Sequence, residues 1–171
     1  MPDLTPLWIS IKVGFISTII VSILGIFICR TLYKRKGHAT QFLESLILLP
    51  IVLPPTVLGF ILIIVFSPRT FVGQFFQNIL HLPVVFTMTG AVIASVIVSF
   101  PLMYQHTIQG FRSINPKMLN TARTMGASER KIFYRLILPL SKRSIIAGIM
   151  MSFARAIGEF GATLMLSLIH I

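Results

Sequence analysis

Four stretches of this 171-residue chain approach the roughly 20 apolar residues that a helix needs to cross the hydrocarbon core of a bilayer. They run from about Leu7 to Cys29, Glu44 to Phe66, Val84 to Tyr104 and Ile145 to Leu168. In lipid each backbone N–H and C=O must find a partner inside protein, so stretches of this kind fold as helices. The expected fold class is all-α integral membrane, a polytopic transmembrane helical bundle forming a single domain over 1–171. Composition agrees, because 55% of the residues are hydrophobic and only 11% charged, an apolar share above that of an ordinary soluble domain. The ten prolines and eleven glycines do not argue for disorder, since both residues are tolerated in membrane helices.

Charge supplies the orientation. A net charge of +11 taken alone would fit a nucleic-acid partner. Of fifteen Lys and Arg residues, however, four fall between Arg30 and Lys36 and eight between Arg112 and Arg143. That clustering marks two cytoplasmic loops under the positive-inside rule, with no nucleic acid implied. Ser67 to Pro83, with Arg69 alone, then lies outside, and the N-terminus is expected outside too. No basic region precedes the first stretch, which is as long as a full span, so it reads as a retained helix and not as a cleaved signal. An even number of spans leaves the apolar Leu166–Ile171 end outside, which reads as a truncated C-terminus lacking at least one further helix.

Catalytic signatures are absent from the sequence: there is no Gly-x-x-x-x-Gly-Lys, His-Glu-x-x-His or Gly-x-Ser-x-Gly. Cys29 is the single cysteine, and His38, His81, His106 and His170 show no ligand spacing, so no metal site is expected. Lys12 sits near the outer end of the first stretch, from which its side chain can snorkel to water.

Small residues recur at four-residue spacing: Gly90 with Ala94, Ala91 with Ser95 and Ser99, Ala154 with Gly158 and Ala162. They read as helix contacts, with pore lining as the alternative. Pro50, Pro54 and Pro55 interrupt the second stretch and predict a kink or break at mid-membrane. That break is either a hinge or gate facing a transport path or a static bend. Arg155 and Glu159 lie four apart in the last stretch and share one helical face. They are candidates for a translocation path, or for a structural ion pair joining helices or two copies of the chain.

The basic segment of about 111–142 carries a pattern of its own. Asn115 is a candidate N-cap, Pro116 suits the first helical position, and Gly126 suits a C-terminal stop. Ser128 can cap a second short helix that Pro139 closes, with Glu129 at its positive end. Ala122 and Gly126, four apart, share a low face against which another protein could sit; an amphipathic helix on lipid headgroups is the other reading.

The run Leu119-Asn120-Thr121-Ala122-Arg123-Thr124-Met125-Gly126-Ala127-Ser128, followed by Leu138-Pro139, resembles the EAA loop of ABC importer permeases. Asn120 stands where that family usually has Glu, and Thr121 where it usually has Ala. Leu49 to Phe60 and Phe153 to Met165, with its Arg155-Ala156-Ile157-Gly158-Glu159 core, look like molybdate permease subunits. The resemblance implies an importer permease of type I fold in the bacterial inner membrane, with Asn120, Thr121, Ala122, Gly126, Leu138 and Pro139 in the ATPase-docking loop. It also implies a second permease copy, two ATP-binding cassette subunits and an extracytoplasmic molybdate-binding protein. ATP would be bound by the partner subunits, leaving this chain without a cofactor. Sulfate or tungstate is the nearer alternative substrate, and a small helical channel or scaffold the alternative from another class.

Overall fold

The computed structural model describes residues 5–35, 37–78 and 87–168, with side chains over 7–35, 37–76 and 87–158. Every regular element among them is helical: α1 (Thr5–Leu32), α2 (His38–Val52), α3 (Pro55–Val65), α4 (Phe71–Asn78), α5 (Met88–Arg112), α6 (Pro116–Thr124), α7 (Glu129–Ile132), a π-helical turn (Phe133–Ile137), α8 (Leu138–Leu140) and α9 (Lys142–Leu168). Of these, α1 from Leu7 and α5 are each long and apolar enough to cross a membrane unaided. The beginning of the third expected stretch, Val84 to Phe86, lies outside the described residues.

Helices α1, α5 and α9 pack on one another, α5 making the more extensive contact with each of the other two. The sequence of α1 explains how. Ser10, Val13, Gly14, Ser17, Thr18, Val21, Gly25, Cys29 and Leu32 recur every three or four residues and are all buried. Its bulky residues point the other way, with Trp8, Phe15, Ile23 and Phe27 each 61–65% exposed. Burial of small and polar groups under an exposed greasy face reverses the soluble-protein pattern, because lipid solvates Phe and Ile as well as protein does and leaves close packing to hold helices together.

Three glycines permit the close approach. A Cβ added to Gly25 would lie 2.7 Å from Met103 Cγ, one on Gly110 2.7 Å from Ser144 Cβ, and one on Gly148 3.0 Å from Met103 Sδ. At this separation, short side chains reach the backbone of α5. Ser17 donates to the Val92 carbonyl at 3.3 Å, Cys29 to Tyr104 at 3.6 Å, Ser152 to Ser99 at 3.2 Å and Ser141 to Gly110 at 2.9 Å. Interhelical bonds of this kind are worth about 0.6 kcal/mol each in membranes.

The small-residue stripe expected on α9 is corrected by this packing. Ala154 and Gly158 are exposed, and Gly158 has open space beside it; the side chain of Ala162 lies outside the described residues. The buried stripe is instead Ile145, Gly148, Ser152 and Ala156. On α5, by contrast, Ser95 and Ser99 are buried in the three-helix contact.

The proline-rich second stretch is two helices. Pro50 lies inside α2, Leu53 is extended, Pro54 precedes α3, and Pro55 occupies its first turn. The two axes turn by 114°. At about 1.5 Å per residue, neither the 15 residues of α2 nor the 11 of α3 could cross a core of about 30 Å alone. The break is far sharper than a kink because consecutive prolines remove two adjacent backbone donors and the first forces Leu53 out of helical geometry.

Gly25→Val should drive Met103 away and destabilise the bundle by about 1–3 kcal/mol, lowering its melting temperature in detergent, whereas Gly158→Ala should leave it unchanged.

Candidate functional site

The polar segment between α5 and α9 is built as its capping residues dictate. Asn115 Oδ1 accepts from the Lys117 N–H at 2.9 Å, and Pro116 opens α6. At the other end Gly126 adopts φ +79°. Its N–H donates to the Arg123 carbonyl at 2.9 Å, and that of Ala127 to Ala122 at 3.0 Å, the two bonds of a Schellman motif. Ser128 then caps α7 by accepting from Lys131 N–H.

The following helical run closes within one residue of Pro139, the expected stop. It continues to Leu140 and turns by 66° into α9 at Ser141. Pro139 has no N–H to give to the preceding turn, and just before it the ladder slips by one residue, with the Leu138 N–H reaching the Phe133 carbonyl five residues back. Ile132, Phe133 and Ile137 from this run are buried with Cys29, Leu32, Tyr104, Ile108 and Phe111. The segment is thus anchored in the core of the bundle.

Residues of the expected docking face separate into two sets. Ala122 is half-buried and packs, with Leu119, against that core. Asn120, Thr121 and Gly126 are exposed, and on α6 and its C-cap Met118 and Met125 are open apolar positions, at 47% and 81%. The outward face of α6 is therefore Met118, Thr121 and Met125, while Ala122 seats the helix and Gly126 turns the chain. Leu138 packs on the core and Pro139 is exposed in the bend.

A polar network missed by the sequence reading joins this segment to the end of α1. Glu129 accepts from Lys34 Nζ and, at 2.8 Å, from Arg123 Nε. Arg123 also donates to Asn120 Oδ1 at 2.6 Å, so the amide at position 120 is engaged although it carries no charge. Beside them the Arg30 guanidinium lies over the Phe133 ring at 4.7 Å and donates to Tyr134 Oη at 3.2 Å. The one signal available was that Glu129 is among only four acidic residues in the chain.

The other candidates lie elsewhere. Pro54 and Pro55 are exposed at the α2–α3 break, with Val52 beside them 82% exposed. Arg155 is half-buried on α9; the side chain of Glu159, one helical turn on, lies outside the described residues.

Hydrogen bonds from Lys34, and then from Arg123, hold the Glu129 carboxyl below its ordinary range. A carboxylate lowered on folding contributes above its unfolded pKa, and its contribution disappears as pH falls through the lowered value. A spin label at Met125→Cys should therefore keep one mobility from pH 9 to 6 and become more mobile at acid pH. In Glu129→Gln it should be mobile throughout.

Comparison with known proteins places these features in a family. Residues 21–168 match the family model described as binding-protein-dependent transport system inner membrane component. A Bacillus subtilis protein named for a molybdenum transport system permease is 44% identical over 161 residues, 94% of this chain and 71% of the relative. The molybdenum transport system permease protein of Escherichia coli K12 is 33% identical over 163 residues, 95% and 71% of the two chains. A Chlorella vulgaris protein named for a sulfate transport system permease is 30% identical over 159 residues, 93% and 59%. This chain belongs to the inner membrane component family of binding-protein-dependent transport systems.

Proposed function

We propose that this chain is the membrane-spanning subunit of an ATP-driven importer that carries molybdate across the bacterial inner membrane. Support for the substrate comes from the 44% identity to the Bacillus subtilis molybdenum relative, against 30% to the sulfate-named protein. Sulfate or tungstate is the second reading, and the sulfate-named relative is the observation that favours it.

In this proposal the chain pairs with a second copy and with two ATP-binding subunits, and a binding protein outside delivers the anion. The basic loops face the cytoplasm, the N-terminus faces outside, and ATP is held by the partners, so that no cofactor binds here. The observation that carries the coupling is the build of α6. Its outward Met118, Thr121 and Met125 face is free, whereas Leu119 and Ala122 are packed on a core shared with α1, α5 and the α7–α8 run. An ATPase subunit gripping Met118, Thr121 and Met125 would therefore move the bundle and not merely a surface loop. Asn120 holds Arg123, Gly126 sets the turn, and Leu138 and Pro139 carry the displacement through the bend into α9.

Arg155 and Glu159, on α9 beyond that bend, are proposed to border the anion path. Pro50, Pro54 and Pro55 are proposed to form the gate. Broken backbone is tolerated at membrane depth only where protein or a wet cavity covers it, and the exposed α2–α3 break calls for such cover from the path or the second copy.

The assembled importer, reconstituted in lipid with its binding protein, should hydrolyse ATP faster with molybdate and not with sulfate; stimulation by sulfate would select the second reading. Met125→Asp should weaken ATPase association by about tenfold, as for loss of an apolar contact of 1–2 kcal/mol, while leaving membrane insertion intact. Unchanged association would remove α6 as the docking element.

A further inference from the structure

A cleft of about 850 Å³ opens between the α1–α2 connection, the first turns of α2, the end of α5 and α6. Its wall holds four cations, Lys34, Arg35, Arg112 and Arg123. Two carboxylates answer them. Glu44, in the wall, takes bonds from both terminal nitrogens of Arg112, the longer at 3.3 Å, and Glu129 bridges Lys34 and Arg123. Two positive charges remain in excess, and Arg35 forms no ion pair among the described residues. The remaining lining includes Tyr33, Phe111 and Leu119, which suits a ligand with an anionic head on an apolar stem. Outside the cleft, α2 continues as an open apolar face, with Phe42, Leu43 and Leu46 at 70%, 44% and 55% exposure.

An arginine-rich hollow at a membrane helix end fits a phosphate, which guanidinium groups grip through paired hydrogen bonds. Basic pockets between membrane helices on the cytoplasmic side take anionic headgroups in this way. We infer that the cleft binds a phosphate-class tetrahedral anion, and that the headgroup of an anionic phospholipid supplies it, its acyl chains lying along Phe42, Leu43 and Leu46. The headgroup would span the α1–α2 connection and α6, so lipid charge would brace the same two elements that Glu129 joins. The inference rests on the proposed orientation only for which leaflet provides the lipid.

Native mass spectrometry of the full chain with its ATPase partner, from nanodiscs of phosphatidylcholine with and without phosphatidylglycerol, reads the site directly. Phosphatidylglycerol should be retained selectively. Arg35→Gln should cut retention about fivefold, the worth of one cation near an anionic surface, and Arg35→Lys, which keeps the charge but loses the paired donors, should restore only part of it. Inorganic phosphate or molybdate binding with the same Arg35 dependence in phosphatidylcholine nanodiscs would confirm the anion site and make its source soluble. Equal retention of both lipids with no ion binding, or retention unchanged in Arg35→Gln and in Arg35→Gln with Lys34→Gln, would overturn the inference. Because retention is read without transport, failed molybdate uptake with phosphatidylglycerol still bound would count against the substrate reading alone.

Discussion

Close approach of α1 and α9 to the backbone of α5 holds the bundle together and fixes where the α6–α8 segment can sit. Lipid removes the hydrophobic drive that would hold these helices together in water, so contact must come from shape and from short hydrogen bonds. Gly25, Gly110 and Gly148 supply the shape. Ser17, Cys29, Ser141 and Ser152 supply bonds to carbonyls of α5. A larger side chain at any of the three glycines would separate backbones and lengthen those bonds together, so the two devices are not independent.

The same packing gives the α6–α8 segment its leverage. A short helix at a membrane surface would ordinarily move without consequence for the spans. Here Phe133 stacks edge-on against Phe111 of α5 at 5.6 Å, while the Arg30 guanidinium of α1 lies over the rings of Phe133 and Tyr134. Glu129 ties Lys34 to Arg123. The segment is thereby attached to α1, α5 and α9 at once, and displacement of α6 is shared among three helices.

Much of this was legible in the sequence, for identifiable reasons. Apolar length gave helices, Asn115, Gly126 and Ser128 gave the caps, and the proline cluster gave a break. Hydropathy carries no direction, which is why the 114° turn between α2 and α3 could not be read from Glu44 to Phe66 as a single stretch. Spacing finds a small-residue face but not the neighbour it meets; α9 has two such faces, and the one bearing Ala154 and Gly158 is open. Ala122 and Gly126 share a face by spacing, yet one packs on the core and the other serves a left-handed turn. The Lys34–Glu129 pair joins residues 95 positions apart, and no local pattern announces a contact of that range.

In the proposed importer the outward face of α6 is gripped by an ATP-hydrolysing partner and passes its motion to the bundle. The most direct test is disulfide trapping of Met125→Cys against single cysteines on the ATPase subunit, in a chain whose one native thiol, Cys29, is buried. Cross-linking should be rapid in the assembled importer and should block transport until the disulfide is reduced. Free reactivity of Met125→Cys toward a soluble maleimide in the assembled importer, with no cross-link at any ATPase position, would contradict this grip on α6.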